Sequence, residues 1–338
     1  MPLDMFLVQY KGRKQKGLNK MTIVVQAQNL TKRFRSQKGV PAVGNLDLDI
    51  SEGELFGLVG PDGAGKTTTL RMLATVMLPT SGKATVAGFD TNSEAEKVRK
   101  IIGYMPQNFT LYPDLSVLEN LHFFADINGV DDDQREKNIT KMLQFTRLEK
   151  FTDRKAGKLS GGMKKKLALA CAMIHDPKVL FLDEPSTGVD PVSRRELWVI
   201  LAKIVEEGMT IVVSTPYMDE AERCHRVGML YQGELLTSGE PQDLIEKLPF
   251  EVVELKAKPR KSIRALLDSF SQSLEWRPLG DRLRLMVFSG NGSLSSMERS
   301  LSRKMKTQKI EVTFIRRAKK TMEDVFVHLV EKQRTSNV

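Results

Sequence analysis

Residues 60–67 read Gly-Pro-Asp-Gly-Ala-Gly-Lys-Thr, with the apolar run Leu55–Val59 before them and a helix-forming stretch from Thr68 to Thr75 after them. Buried strand, glycine loop and helix, in that order, are the context a GxxxxGK[ST] phosphate loop requires. Glycines let the backbone curl so that its N–H groups face phosphate oxygens, and the helix N-terminus adds partial positive charge. Lys66 brings a full positive charge to the phosphates, and the Thr67 hydroxyl can ligate Mg²⁺. Gly60, Pro61, Asp62, Gly63, Ala64, Gly65, Lys66 and Thr67, with Thr68 behind them, are therefore the expected phosphate-binding residues.

Two further segments share this chemistry. Val179-Leu-Phe-Leu-Asp183-Glu184 is an apolar strand ending in adjacent carboxylates, about 116 residues past the loop. Successive strand residues point to opposite sides. Asp183 can face Mg²⁺ while Glu184 acts as base toward a water, a role that contributes about 10²–10⁴ in rate. Leu159-Ser160-Gly161-Gly162-Met163 opens a basic helical segment, Lys164 to Met173, with Ser160 at the N-cap. Read alone it is a capped helix. As a second anion-binding end in one chain, Ser160, Gly161 and Gly162 make sense if they serve the nucleotide of another subunit.

From 22 to about 240, strand-like and helical segments alternate, as in an α/β fold with a largely parallel sheet. Ile23–Ala27, Leu55–Val59, Val179–Leu182 and Thr210–Ser214 are the clearest strands. Between about 104 and 176 the pattern is helical, an insert in the α/β core. Residues 22–245 are the expected catalytic domain, and 249–338 a small C-terminal α/β appendage with strands at 252–255, 282–288 and 310–314. Its helices are expected at 263–271 and 322–332. Residues 1–21 look like a basic, poorly structured extension, and Met21 is an alternative start.

The net charge of +10 is uneven: +7 over residues 1–35, +12 over 256–320 and −9 over the rest. A nucleic-acid binder carries its basic patch on the working domain. The basic ends are read as solvated faces, with anionic lipid or nucleic acid as the alternative, and no specific nucleic-acid partner is expected. Leu167 to Ile174 is far too short an apolar run to span a bilayer, which takes about 20 residues. No signal peptide is expected at the N-terminus. Cys171 and Cys224 are expected to be reduced and buried, and His122, His175, His225 and His328 are too scattered for a metal site.

The phosphate loop, LSGG and strand-Asp-Glu, in this order, resemble ABC transporter ATPases over roughly residues 24–245. That resemblance implies a P-loop NTPase ABC ATPase core with a helical subdomain, with ATP and Mg²⁺ as ligands. It also implies further stations: Phe34 stacking on adenine, Gln107 touching Mg²⁺ and relaying to a membrane subunit, and Gly188-Val-Asp190 contacting an opposite protomer. Two subunits would pair head to tail, with Ser160, Gly161 and Gly162 binding the partner's ATP in trans. Glu184, Gln107 and Lys66 are the expected catalytic residues, and Thr67, Gln107 and Asp183 the expected metal ligands. After Gln107, Tyr112, Pro113, Leu115, Leu118, Leu121, Phe123 and Phe124 can form either a groove for a permease helix or core.

Within the family, Ser-Thr-x-Tyr-Met-Asp-Glu-Ala-Glu and the closing Thr321-Met-Glu-Asp-Val-Phe326 look like the daunorubicin-resistance (ABC-2 multidrug exporter) type. GPDGAGKTT and Arg194-Arg-Glu-Leu-Trp198 are similar to the first ATPase half of YbhF-type tandem exporters. The resemblance implies a peripheral subunit on the cytoplasmic face of the inner membrane, energising an integral-membrane permease beside a second ATPase subunit.

One station departs from the pattern. Pro216 stands where the family usually has a histidine that hydrogen-bonds the γ-phosphate. Proline has no side-chain donor and no N–H, and losing one such donor costs about 10²–10³ in rate. A slow composite site completed by a different ATPase partner is the leading expectation, and a symmetric homodimer the competing one. The alternative function is a soluble ABC ATPase acting on ribosomes or nucleic acid.

Overall fold

The computed structural model describes residues 22–35, 39–108, 111–270, 274–288 and 294–336. The expected N-terminal extension and the alternative start at Met21 lie outside them. The chain forms two compact units: one takes in the chain up to Glu54 together with Thr67–Val212, the other Leu55–Lys66 with Val213–Val338.

In the first unit, β1 (Ile23–Lys32), β2 (Val43–Ser51), β4 (Ser81–Val86) and β5 (Phe89–Asp90) form an antiparallel sheet in the order β2-β1-β4-β5. β2 shows why: Val43, Leu46, Leu48 and Ile50 are buried while Asp47 and Asp49 face out, the alternation of a sheet with one wet face. The expectation of largely parallel pairing does not include this antiparallel sheet. Parallel pairing appears where the strands are continuously apolar, as in β6 (Ile102–Met105) against β7 (Val179–Asp183), with Met105 opposite Leu182.

Helices α1 (Lys66–Leu73) and α2 (Ala95–Arg99) precede β6, and α3 (Val117–Ile127), α4 (Asp132–Thr146) and α5 (Gly161–Met173) follow it. The helical run thus begins later than position 104, because Tyr104 and Met105 still belong to β6. Every residue of α5 from Lys166 to Met173 is buried. Against it, a Cβ at Gly103 would lie 2.3 Å from the Ala172 carbonyl oxygen, so only glycine permits this approach. α6 (Pro191–Glu206) is capped by Asp190, with proline at its first turn. The strand β8 (Thr210–Thr215) carries the chain out of this unit.

In the second unit, β3 (Leu55–Val59) runs parallel to β9 (Arg226–Tyr231). A two-residue turn at Gln232 and Gly233, both at positive φ, folds β10 (Glu234–Gly239) back on β9. The short helices α7 (Met218–Ala221) and α8 (Pro241–Glu246) flank this hairpin in sequence.

A fully antiparallel sheet follows, ordered β12-β13-β11-β14, from β11 (Phe250–Lys258), β12 (Leu274–Leu279), β13 (Arg282–Phe288) and β14 (Glu311–Ala318). Val253, Leu255 and Leu285 pack with Ile263, Leu266 and Leu267 of α9 (Arg260–Asp268) and with Leu301 and Met305 of α10 (Leu294–Thr307). The intervening Glu254 points the other way, to a buried charge network in which Arg284 meets Asp324 of α11 (Met322–Ser336) at 2.6 Å. Burial pushes the Asp324 carboxyl up, but Arg284 and hydrogen bonds from Thr321 together outweigh it and hold the group below its ordinary range. Among the described residues no helix is long and apolar enough to cross a membrane.

Candidate functional site

The loop after β3 is folded on itself. Gly63 and Gly65 take φ of +78° and +104°, and a Cβ on Gly60 would lie 2.2 Å from the Leu230 carbonyl oxygen. The Gly60 N–H donates to the Thr215 carbonyl at 3.3 Å, and the Gly233 N–H donates to that of Ala64. Asp62 and Gly63 are exposed and Ala64 is buried. Lys66, 4% exposed, turns its ammonium onto the carbonyls of Gly60 and Pro61 at 2.8 and 3.0 Å. Those carbonyl bonds hold a cation against the loop.

Pro216 follows Thr215, so the proline is one residue from the group that anchors the base of the loop. The Thr215 hydroxyl donates to the fully buried Glu220 carboxylate and accepts from the Tyr217 N–H.

In the first unit, Thr67 donates its hydroxyl to Asp183 at 3.0 Å. Asp183 ends β7 fully buried. Glu184 then turns into the left-handed region at φ +48°, uncommon for a residue with a side chain. The Gln107 amide nitrogen donates to Glu184 Oε2 at 3.0 Å, and the Thr187 hydroxyl reaches the same oxygen at 3.2 Å. Lys165 of α5 donates to the Gln107 backbone carbonyl at 2.9 Å. The structure thus brings Thr67 to Asp183, and Gln107 to Glu184. Thr68 follows in α1, half-buried. Phe34 stands beyond the end of β1 with the Lys32 ammonium 5.5 Å from its ring centroid.

Ser160 caps α5 as its residue type predicts, accepting from the Met163 N–H at 3.3 Å. A Cβ on Gly162 would lie 2.3 Å from the Ser193 hydroxyl, whereas one on Gly161 would meet no atom nearer than the Gly188 carbonyl at 3.9 Å. Gly161, Gly188, Gln107, Lys165 and Thr187 share one cleft of 560 Å³. Asp190 accepts from the Val192 and Ser193 N–H groups at 3.1 and 3.0 Å, which lowers its pKa.

Past Gln107, the buried Asn120 ties Tyr112, Leu115 and Ser116 to α3 through its side-chain amide. The apolar residues expected here divide. Leu121 is core, while Tyr112 is 42% exposed and packs edge-on against Phe123 with centroids 4.3 Å apart. Cys171 and Cys224 are buried free thiols. Lys165 and Thr187 carry no motif that singles them out in the sequence. Thr187 sits three residues beyond Glu184 in a turn, which is a local signal, whereas nothing local separates Lys165 from its neighbours Lys164 and Lys166.

Donor chemistry at Asp183 fits a hard divalent cation, since Thr67 and Asp183, in contact at 3.0 Å, both offer oxygen.

The sequence profile of the ABC transporter family matches residues 43–187. Over 244 residues the chain is 49% identical to YbhF of Escherichia coli strain K12, a probable multidrug ABC transporter ATP-binding protein, covering 72% of this chain and 42% of YbhF. The match therefore spans less than half the length of that relative. The Nod factor export ATP-binding protein I of Cupriavidus metallidurans is 38% identical over 259 residues, 76% of this chain and 84% of that one.

Among solved structures, the dimeric cassette MJ0796 in a post-hydrolysis state with ADP and Pi superposes with a TM-score of 0.59 at 30% identity. It covers 64% of this chain and 98% of that one. For cbiO1 of Clostridium perfringens, part of the ABC transporter complex cbiONQ, the TM-score is 0.61 at 25% identity, over 74% and 96% of the two chains. The fold is that of the P-loop ATP-binding cassettes, and the chain belongs to the ABC transporter family as an ATP-binding subunit.

Proposed function

We propose that this chain binds and hydrolyses MgATP to energise a separate integral-membrane permease of an ABC-2-type exporter. The carrying observation is the pair of carboxylates at the end of β7, one holding Thr67 and the other held by Gln107 and Thr187. Relatives named for multidrug transport and Nod factor export support the export direction.

In this reading backbone N–H groups of the loop beyond Pro61 receive the β- and γ-phosphates. Lys66 exchanges the Gly60 and Pro61 carbonyls for phosphate oxygens, a trade of neutral acceptors for a charged one. Phe34 stacks on adenine. Thr67, Asp183 and Gln107 would hold Mg²⁺, which when bound neutralises charge on the β- and γ-phosphates. Glu184 accepts a proton from water as the water oxygen attacks the γ-phosphorus. The bond to the β–γ bridging oxygen breaks, leaving ADP and phosphate.

Ser160, Gly161 and Gly162 serve a nucleotide held by a second ATPase subunit, which is why Gly161 is exposed and unhindered by its own chain. MJ0796, described as a dimer with ADP and Pi, supports such pairing. The exposed Tyr112 and the half-buried Phe123 and Phe124 form the docking groove for the permease on the cytoplasmic face of the inner membrane. Residues 249–338, with the antiparallel sheet and α11, act as an accessory domain of the daunorubicin-resistance type.

Pro216 makes the site slow, and a different ATPase subunit completes the working pair. Steady-state hydrolysis by wild type, Pro216→His and Glu184→Gln tests this. Glu184→Gln should lose about 10²–10⁴ in turnover while still binding ATP. Pro216→His should raise turnover by about 10-fold or more, toward the 10²–10³ that one preorganised donor contributes. Rapid turnover by wild type alone, with no gain from histidine, would make it a self-sufficient homodimeric motor.

A further inference from the structure

Three consecutive lysines follow the first turn of α5 and meet three environments. Helical residues step by about 100°, so Lys164 faces solvent and Lys166 turns inward to pair with Glu196 at 2.5 Å. Lys165 reaches across to the backbone carbonyl of Gln107 at 2.9 Å. A lysine held there half-buried needs compensation from elsewhere in the fold. Burial pulls the Lys165 ammonium below its ordinary range, and the negative charges of Asp183 and Glu184 pull it back. The ammonium therefore feels the same carboxylates that Thr67 and Gln107 contact.

These contacts form a relay. Lys165 grips the main chain of Gln107, and the side chain of Gln107 donates to Glu184 Oε2. We propose that Lys165 is a positioning residue for hydrolysis: by pinning the Gln107 carbonyl, it fixes the side chain that orients the general base. The proposal rests on the ATPase reading of Glu184. It adds a link, inside one subunit, from the helix that begins with the Ser160–Gly162 turn to the base. Catalytic groups must be held within roughly 0.5 Å of their working geometry, so the loss should fall on the chemical step and not on nucleotide affinity.

The test compares full-length wild type, Lys165→Met and Lys165→Arg by three measurements. These are steady-state ATPase kinetics, affinity for a fluorescent ATP analogue, and amide hydrogen exchange in a peptide ending at Asn108. Methionine keeps an unbranched stem without the donor, and arginine restores a cationic donor. Lys165→Met should lower kcat by about 10-fold, the size expected for one hydrogen bond from a charged group, with KM and analogue affinity within about twofold. Exchange around Gln107 should accelerate by a similar factor, and Lys165→Arg should recover most of both.

The proposal is overturned if Lys165→Met leaves kcat and exchange unchanged. It is also overturned if KM rises at constant kcat, or if arginine is no better than methionine. Failure of wild type to bind the analogue would sink the ATPase reading instead. In that case, or if wild-type turnover is too slow to measure, the exchange result alone decides whether Lys165 pins Gln107.

Discussion

In the loop from Gly60 to Lys66, every conformational demand comes from the chain itself. Gly60 is pressed to within van der Waals reach of the Leu230 carbonyl, Gly63 and Gly65 turn at positive φ, and Lys66 is buried on the loop's own carbonyls. The Ser160–Gly162 turn is made differently. Gly162 is demanded by Ser193, but a Cβ on the exposed Gly161 would make only an ordinary contact with the Gly188 carbonyl at 3.9 Å. In the proposed reading the first cradle is half of a site within one chain, and the second serves a nucleotide that another chain holds.

The sharpest way to break this contrast is alanine at each glycine. Gly60→Ala places a Cβ 2.2 Å from a main-chain oxygen that cannot swing aside. It should cost on the order of 3 kcal/mol, lower Tm by roughly 6 °C or more, and remove nucleotide binding. Gly162→Ala meets the Ser193 hydroxyl and Cβ at 2.3 and 2.4 Å. It should cost about 1–3 kcal/mol in a thermal melt, and the added change Ser193→Gly should return most of that loss. Gly161→Ala should go the other way, leaving Tm unchanged or raised by a degree or two, because alanine restricts the unfolded chain more than glycine does. Its turnover in the presence of the partner subunit should nevertheless fall. If all three alanines destabilise alike, the two cradles are the same kind of object and the contrast fails.

Contiguous motifs make much of this legible in the sequence alone. The phosphate loop, the Asp183–Glu184 strand end and the Ser160 cap each carry their signal within a few residues, because the backbone geometry they need is local. The first antiparallel sheet is not legible in that way. β5 is two residues long, and β4 (SGKATV) exposes its first three, so neither shows a period that separates strand from loop. Lys165 is hidden for another reason. Its partner lies 58 residues away in sequence, and three adjacent lysines give no clue to which faces inward until helix phase is fixed by packing. The left-handed Glu184 is likewise invisible, since glutamate, unlike glycine, asparagine or aspartate, does not advertise positive φ in a sequence.

The smallest effect sharpens the comparison most, because Ser160 has two candidate duties. As an N-cap its hydroxyl accepts from Met163 at 3.3 Å, longer than the usual 2.7–3.2 Å range and therefore weak. Ser160→Ala should cost only about 0.5–1 kcal/mol and lower Tm by about 1–3 °C. Ser160→Asp restores a strong cap and places negative charge where the helix dipole favours it, so Tm should recover to the wild-type value or above. A carboxylate at that point repels phosphate, however, so turnover with the partner subunit should drop further in Ser160→Asp than in Ser160→Ala. Stability and turnover then move in opposite directions, which a capping role alone cannot produce. If Ser160→Asp recovers both, the hydroxyl serves only the helix, and the second cradle loses the group that would make it bind an anion.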